Sequence, residues 1–423
     1  MSKKSKKLEE IKNMFKNIEI NFDEIEDNAV EDFIYIIKQT KDNRYQPNTK
    51  HLMSDIIMIA FFAILSKATE WKEIESFAKK EEKWLKKYLE LPNGIPSHDT
   101  IQRVISILDS KILYENCLKY FIEIIDKYIP KEENEKDVYS IDGKTTNASS
   151  RSALTTDKIN PLNTMSVYSH NYGVSILQDY IKEKENEITM GPKLIEQLDL
   201  KNCIVTADAL NTQKETVKSI IKKHGDYVLA LKGNQKNFYE EIKEYFLDKE
   251  FLKRIEQENY YEETEKSHSK IINRKYYLTN DVKWINGYKN WKGLKSIGLE
   301  VKTIENVQTG EITEERRHYI VSFENNIKDF KDAVRKHWGI ENNLHAPLDI
   351  IFKEDKNKTL EKNGAKNMGI LRRIALMVLK LVQAFYNKSM KLIMFELSLD
   401  FENEIENIFK LLKPDLVNRL KNT

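Results

Sequence analysis

Three acidic residues in separate parts of the chain give the clearest indication of chemistry. Asp142 follows the strand-like run 139–141, Asp208 follows a second run at 204–207, and Glu341 lies in a helical stretch far downstream. Three carboxylates from three elements can hold two divalent cations about 3.5–4 Å apart, which activate a nucleophile and stabilise the leaving oxygen in phosphoryl transfer. Mg²⁺ prefers such a set of few carboxylates completed by water and substrate oxygens. The pattern predicts a metal-dependent enzyme that cuts nucleic-acid strands.

The surroundings of each acid leave other interpretations open. A single aspartate after a strand is more often a turn or helix-cap residue, so only the joint placement of Asp142 and Asp208 favours a metal site. His337, Glu341 and His345 are spaced by four residues, which places all three on one face of a continuous helix. Glu341 would then bind metal, and the histidines would contact phosphate or orient water. A zinc site fits less well, because the histidines are eight residues apart and no cysteine is near. A solvated helix face is the plain alternative.

Further polar residues are candidates for the same region. The rival third acids, which follow Glu341 closely, are Asp349, Glu354 and Asp355. The candidates for contact with the DNA backbone at predicted strand ends are Lys144, Lys232, Asn234 and Gln235. Phosphate oxygens accept hydrogen bonds from such groups, although a lysine at a strand end is usually only solvated.

The elements that must position these residues form an α/β pattern. The predicted elements, in chain order, are strands at 138–141, 165–170 and 174–181, a helix at 187–198, a strand at 203–207, a helix at 213–223 and a strand at 226–231. Three strands followed by alternating helices and strands predict a mixed sheet in the order of a ribonuclease-H-like fold. Ligands bind beyond the carboxyl ends of strands in open sheets, which suits Asp142 and Asp208.

The segment between Asp208 and Glu341 is too long for a simple loop. After a helical part at 236–255, its strand-like runs are at 275–278, 296–301 and 317–322. This pattern predicts a β-rich insertion at about residues 236–327 within the catalytic domain. A helix is predicted next over residues 328–345, ended by Pro347.

The remaining segments are mostly helical. Residues 51–128 have apolar residues at helical spacing, and Ser97 is the predicted N-cap of a helix after a turn. Short helices joined by a tight turn suit a DNA-binding module, and a plain packing domain explains the pattern nearly as well. The predicted divisions are a charged tail or helix at 1–46, a helical domain at 47–132, a catalytic domain at 137–395 and a helical tail at 396–423.

The composition limits the class of protein. Of 423 residues, 32% are charged and 40% hydrophobic, which is typical of a globular protein. Lys and Arg number 69 against 67 Asp and Glu, so net charge alone does not indicate a nucleic-acid partner. Two separate cysteines, Cys117 and Cys203, exclude a zinc ribbon and fit a reducing compartment. The longest apolar run, 56–65, is shorter than the roughly 20 residues a membrane span needs. The expected location is the cytoplasm, without a membrane partner.

Taken together, the motifs resemble one family. They include the segment 94–100, the triplet Asp142-Gly143-Lys144, and the segments 205–209, 226–235 and 337–355. On these residues the chain resembles bacterial insertion-sequence transposases of the H-repeat-associated, ISAs-type group in the DDE superfamily. The resemblance implies a ribonuclease-H-like core that uses Asp142, Asp208 and Glu341 with Mg²⁺ or Mn²⁺, preceded by an associated domain. It also implies recognition of terminal inverted repeats, joining of 3′-hydroxyl ends to target DNA, and a homodimer when assembled on DNA.

Some positions depart from the family pattern. The arginine that usually follows Asp-Gly-Lys is missing around Asn147, and Ala346 stands where a tryptophan is usual. The segment 268–274 keeps only His268 and Arg274 of the usual residues, and Arg274 is a further candidate for DNA contact. The acids are intact, which favours an active enzyme. The alternatives are a catalytically silent or repurposed DNA-binding protein and a stand-alone nuclease without strand transfer.

Overall fold

The computed structural model describes residues 5–16, 20, 22, 25, 28–45, 49–146, 149, 160–182, 185–267, 269–356, 359, 361–386 and 388–413. Several predicted features lie outside these residues: the first four residues of the charged tail, the departures at Asn147 and His268, and the predicted helical tail beyond residue 413. None of the described helices combines the length and apolar character that crossing a membrane requires.

Within the described residues, nine strands form one sheet at the centre of the molecule. The strands are β1 (Asp137–Thr146), β2 (Leu162–Ser169), β3 (Val174–Tyr180), β4 (Cys203–Ala207), β5 (Asp226–Leu231), β6 (Tyr260–Ser267), β7 (Lys270–Thr279), β8 (Ser296–Asn306) and β9 (Ile312–Val321). Their order across the sheet is β3-β2-β1-β4-β5-β9-β8-β7-β6. β1 pairs antiparallel with β2 and parallel with β4, and β4 pairs parallel with β5. The predicted mixed α/β sheet is confirmed.

The last four strands extend this same sheet. β9 pairs antiparallel with β5, with Leu229 opposite Ile320, and β8, β7 and β6 follow as antiparallel neighbours. The predicted β-rich insertion therefore continues the central sheet. Its edge strand β6 was not predicted, because its sequence YYEETEKS is polar on both faces and has no buried residue. An outermost strand needs no apolar face to pair with its neighbour through the backbone.

The helices fall into two groups. Those that follow the sheet strands are α8 (Glu187–Ile195), α9 (Lys214–Lys222), α10 (Lys236–Tyr245), α11 (Lys249–Glu258), α12 (Ile327–Ile340) and α13 (Ala346–Ile350). Those at the two ends of the chain are α1 (Lys6–Phe15), α2 (Val30–Lys38), α3 (Met53–Leu65), α4 (Trp71–Lys80), α5 (Glu82–Tyr88), α6 (His98–Ser106), α7 (Ser110–Tyr128), α14 (Lys362–Phe385), α15 (Met390–Leu399) and α16 (Phe401–Leu411). Ser97 caps α6 as predicted, its side chain accepting a hydrogen bond from the Thr100 amide.

The two faces of the sheet bury different helices, because alternate strand residues point to opposite sides. Ile141 and Val205 lie in a core with residues of α8 and α9, including Leu194 and Ile220. On the other face, Val138, Ile204 and Val228 pack with Phe330 and Val334 of α12. The helix that carries Glu341 is thereby fixed across the strands that carry the two aspartates.

The first seven helices and the last three share one hydrophobic core. α14 is buried along almost its whole length and packs against α1, α3, α6 and α7. Phe62 of α3 meets both Trp84 of α5 and Phe401 of α16 edge to face. The domain boundaries stay predictions, but this packing joins the C-terminal helices to the N-terminal ones.

One helix prediction is wrong. The predicted helix over residues 328–345 ends at Ile340, continues as a single π-helical turn, Glu341–His345, and restarts as α13. The Ala346 amide donates to the Glu341 carbonyl, five residues back. Pro347 does not end the helix, because it lies in the first turn of α13, where a missing N–H costs no hydrogen bond.

Candidate active site

Asp142 and Asp208 lie side by side at the carboxyl end of the parallel pair β1 and β4. The last residues in register between these strands are Ile141 and Ala207, and the two aspartates follow directly. Neighbouring strands are about 4.8 Å apart, so the two side chains start close together. Contrary to the prediction, Asp142 does not end its strand, because β1 continues to Thr146 along β2. β4 ends at Ala207, opposite Ile141, and this leaves the β4 side of Asp142 open.

Glu341 and His345 approach Asp142 from α12 and the π turn. His345 Nδ1 is 3.5 Å from Asp142 Oδ2 and 3.6 Å from Glu341 Oε2. Among the described residues, Asp142, Glu341 and His345 are the one group whose ligand atoms all lie within 4.8 Å of one another and could hold a cation. His345, predicted as a DNA contact, therefore stands among the candidate metal ligands. The wider π turn keeps both Glu341 and His345 directed at Asp142.

Asp208 is adjacent to this group but is held by its own loop. Its Oδ1 accepts hydrogen bonds from the Asn211 amide at 3.0 Å and from Asn211 Nδ2 at 2.9 Å. Asn211 was not predicted as a residue of the site. The signal was its position three residues after an aspartate, the spacing at which a carboxylate caps a turn. The turn orients Asp208 and leaves its Oδ2 without a hydrogen bond to Asn211.

Repulsion among the acids shifts their titration. Burial, followed by the nearby Glu341 and Asp208, raises the pKa of Asp142 to about 8. The hydrogen bond from His345 lowers the pKa of Glu341. Asp142 is half-buried and Glu341 is exposed, and carboxylates crowded together in this way resist ionisation unless a cation compensates them. The three oxygen donors and one imidazole therefore fit a divalent cation, with the oxygens suited to Mg²⁺ or Mn²⁺.

His337 is half-buried beside the acids and leads into a series of hydrogen-bonded groups, Thr206, Ser140 and His170, that are buried. Its Nδ1 is 3.1 Å from Thr206 Oγ1, which is 2.9 Å from Ser140 Oγ, which in turn is 2.8 Å from His170 Nε2. Burial lowers the pKa of His337 to about 4, so the ring is neutral at physiological pH. This series of hydrogen-bonded side chains joins α12, β4, β1 and the residue after β2. The predicted DNA contact by His337 is untested, and the structure shows a supporting position instead.

Lys144 is committed to an ion-pair cluster with the rival third acids. Its Nζ lies 2.7 Å from Asp349, 3.2 Å from Asp355 and 3.4 Å from Glu354. Glu354 also pairs with buried Arg373 at 2.7 Å. These acids are thus compensated by cations, whereas Glu341 faces Asp142. Lys144 is buried, which leaves its ammonium little access to a DNA phosphate.

The other predicted DNA contacts are divided between two places. Lys232 is exposed just after β5, and Asn234 Nδ2 donates to the Ala209 carbonyl at 2.6 Å. Gln235 Nε2 donates to Gln213 Oε1 at 3.2 Å. The two amides therefore brace the loop that carries Asp208. Arg274, the remaining predicted DNA contact, lies apart from this loop and is buried in β7.

A fourth carboxylate, Glu187, was missed. It is the first residue of α8, and a Cβ atom added to Gly143 would collide with its carboxylate. Burial and the charge of Asp208 raise the pKa of Glu187. The feature of the sequence that could have indicated Glu187 is Gly143, directly after Asp142. Only a residue without a side chain at this position lets α8 approach β1.

Family models match most of the chain. A model described as "Transposase DDE domain" matches residues 133–378, and one described as "DDE_Tnp_1-associated" matches residues 34–122. Asp142, Asp208 and Glu341 all lie within the first of these matches.

Curated relatives agree with these matches. "H repeat-associated putative transposase YhhI" of Escherichia coli K12 is 34% identical over 342 residues, which cover 80% of this chain and 87% of the relative. "Putative transposase YncI" of Escherichia coli O157:H7 is 33% identical over 365 residues, covering 83% and 88%. "Putative protein YbfL" of Escherichia coli K12 is 34% identical over 342 residues, covering 80% and 87%. The predicted resemblance is confirmed, and the chain belongs to the DDE transposases of the H repeat-associated group.

Proposed function

We propose that this transposase cuts DNA at the terminal inverted repeats of its insertion sequence and joins the freed 3′-hydroxyl ends to target DNA. The observation that supports the proposal is the convergence of Asp142, Glu341 and His345 within 4.8 Å, beside Asp208. Crowded acids, one of them with a raised pKa, are the arrangement that a divalent cation stabilises. Neither a purely structural domain nor a simple DNA-binding module requires it.

The cation we propose is Mg²⁺ or Mn²⁺, held by Asp142, Asp208 and Glu341 with His345 as a further ligand. When bound, such ions supply Lewis-acid activation of the attacking oxygen and stabilise the leaving oxygen. Asn211 orients Asp208, and the buried chain from His337 to His170 fixes the spacing between α12 and the two strands. The residues of the chain therefore contribute position more than acid–base chemistry.

Two phosphoryl transfers would use this one site. In the first, a water oxygen bonds to phosphorus and the bond to the 3′ oxygen breaks, leaving a 3′-hydroxyl on the element. In the second, that hydroxyl oxygen bonds to a target phosphorus and displaces a target 3′ oxygen. We further propose that two copies act on paired element ends and that the reaction takes place in the cytoplasm, where bacterial DNA lies.

A catalytically silent, DNA-binding protein is the second candidate. "Inactive transposase YbfQ" of Escherichia coli K12 is 41% identical over 70 residues, which are 16% of this chain. This likeness and the departures from the family pattern favour the second candidate. The intact and converging acids favour the enzyme.

Cutting of terminal-repeat DNA in the presence of Mg²⁺ or Mn²⁺ tests the proposal. The probe is a duplex from the inverted repeats that flank the coding region. We expect Asp142→Asn, Asp208→Asn and Glu341→Gln each to lower the cutting rate more than about 100-fold, because even outer-shell partners of metal ligands are worth 10–100-fold. DNA binding measured without metal should persist in all three variants. Cutting that survives every substitution, or wild-type binding without cutting, would contradict the enzyme.

The choice of Glu341 is tested separately. Asp349→Asn serves as the matched control, since Asp349 pairs with Lys144. Retained cutting in this variant supports Glu341 as the third ligand. Loss of cutting in Asp349→Asn with activity retained in Glu341→Gln would reassign the third ligand to Asp349.

A further inference from the structure

A charged cavity of about 190 Å³ lies beside the candidate active site, on the side of α12 that faces the strands β7 to β9. Four cationic side chains line it: Arg274, Lys302, Arg317 and Arg335. Trp338 and Asn342, on either side of Glu341, complete the wall. No step of the proposed reaction uses these residues.

Strand alternation explains how the cations meet. Arg274 lies directly opposite Lys302 between β7 and β8, and Glu300 lies opposite Arg317 between β8 and β9. Residues two apart on a strand share a face, so all four point to the side where α12 packs. Two residues further along the same strands, Tyr276 and Tyr319 make this face apolar and pack it on Phe330 of α12. The face becomes cationic where α12 ends.

Glutamates hold the arginine side chains around the cavity. Arg274 pairs with Glu265 at 2.9 Å, and Arg317 pairs with Glu315 at 2.7 Å. Arg335 pairs with Glu265 as well. Each arginine also lies near a second glutamate: Arg335 is 3.3 Å from Glu263, and Glu300 is 3.7 Å from Arg274 and 3.9 Å from Arg317. A guanidinium has five N–H donors, and two carboxylates use at most four of them, so a donor remains on each arginine for a further anion.

Lys302 is the cation with the least compensation. It makes no ion pair within the described part of the chain, while Glu300, the one acid in the wall, is shared by Arg274 and Arg317. Burial and the charges of Arg274 and Arg317 lower the pKa of Lys302. An anion that binds beside a lysine surrounded by other cations stabilises the charged lysine, because it offsets the repulsion between the like charges.

Trp338 marks the side of the cavity nearest the acids. Its side chain is 45% exposed, and the Arg317 guanidinium lies 4.3 Å from its ring. The cavity face and the acid face of α12 are separated by no more than one helix width, about 10 Å. A DNA strand presents a phosphate about every 3.4 Å of helix axis. A strand bound at the acids therefore has a phosphate within reach of the cavity.

We infer that this cavity binds a backbone phosphate of the DNA strand near the cut, with Lys302 as its principal cation. The inference rests on the proposed function and deepens it, because it names how the strand is anchored beside the acids. Arg-rich, partly buried sites favour phosphate because guanidinium forks match its oxygens.

The salt dependence of DNA binding tests the inference. The full-length protein is titrated, without divalent metal, into a fluorescent duplex carrying the terminal repeat at several KCl concentrations. Lys302→Gln should weaken binding about three- to tenfold and reduce the slope of log affinity against log salt by about 1. Lys302→Arg should keep both values. Lys275→Gln is the matched control, because Lys275 loses the same charge on the opposite face of β7.

The outcomes separate the two proposals. An unchanged slope and affinity in Lys302→Gln overturn the cavity assignment, even if acid-dependent cutting persists. A reduced slope without any acid-dependent cutting supports the cavity and contradicts the proposed enzyme. If inorganic phosphate raises the melting temperature of the wild type but not of Lys302→Gln, while DNA binding is equal, the cavity takes free phosphate and the DNA assignment falls. Thermal unfolding of each variant confirms that the fold is intact.

Discussion

At the scale of single residues, Asp142 has the titration that most affects behaviour. Its carboxyl group is neutral in the folded protein up to a pKa of about 8, because of burial, Glu341 and Asp208. In the unfolded chain an aspartate ionises near its ordinary pKa of 3.8. Between these values the folded state binds the extra proton, so the free energy of unfolding falls as pH rises. A bound divalent metal favours the ionised form of Asp142 and so reverses this dependence of the free energy of unfolding on pH.

We therefore expect the melting temperature without metal to fall by a few °C between pH 6 and pH 8. Mg²⁺ should raise the melting temperature more at pH 8 than at pH 6. Asp142→Asn should reduce both effects, since it removes the titrating group. Differential scanning calorimetry with and without Mg²⁺ measures them. A metal effect that is equal at both pH values would contradict the assignment.

Thr206 is the second residue for which the structure predicts a clear effect of substitution. Its hydroxyl links His337 to Ser140 in the chain beneath the acids. Thr206→Val keeps the shape but leaves buried partners unsatisfied, which costs roughly 1–3 kcal/mol of unfolding free energy. Turnover at saturating DNA should fall while DNA affinity stays the same, because the acids lose their spacing.

Urea unfolding and single-turnover cutting measure these two effects. Thr206→Ser keeps the hydroxyl and is the matched control, so it should retain the turnover of the wild type. Equal turnover in Thr206→Val and the wild type would show that the buried chain has no part in positioning the acids.

At the scale of elements, the π turn after α12 decides which side chains meet. It inserts one extra residue per turn between Ile340 and Ala346, and so brings His345 to the acids together with Glu341. Single π-helical turns are rare in proteins, and many of those that occur lie at functional sites. The i, i+4, i+8 spacing of His337, Glu341 and His345 predicted one shared face, but on a straight helix rather than this widened turn.

Deletion of Asn343 should convert the π turn into ordinary α-helix. Each residue of an α-helix turns the chain by about 100°, so His345 and α13 would rotate away from Asp142. We expect unchanged helix content in circular dichroism and a loss of metal-dependent cutting of more than about 100-fold. Asn343→Ala keeps the residue count and should retain most of the activity. Full activity in the deletion variant would refute a role for the π turn.

At the scale of the whole molecule, α14 connects the helical core to the sheet. Its Asn367 donates to the Ile105 carbonyl of α6 at 2.6 Å, and its Lys380 lies 3.2 Å from the Tyr168 hydroxyl of β2. Tyr180 of β3 donates to the Lys366 carbonyl at 2.8 Å. Because one helix contributes to both parts, we expect them to unfold together.

A chain that ends at residue 361 should therefore fail to fold, since it loses α14 to α16 and exposes the core shared with α1 to α7. A chain that ends at residue 413 is the control and should match the full-length protein. Calorimetry is expected to show one transition for the full chain and none for the shorter one. A folded 361-residue protein would contradict this account of the core.

Much of this protein could be predicted from the sequence. The sequence of the first five strands along the chain and the two strand-end aspartates, Asp142 and Asp208, follow from strand periodicity, which is a local property. The choice of Glu341 over its acidic neighbours came from the family resemblance. The motifs also predicted the family. The roles of the acids stay predictions that the arrangement supports.

Only the tertiary structure decided which groups touch. It placed His345 with Asp142, committed Lys144 to Asp349, exposed Trp338 and joined the insertion strands to β5. These facts depend on where elements distant in the chain pack and on how one helical turn widens. No local pattern encodes them, because a side chain's direction and partners are set by the three-dimensional neighbours that compete for it.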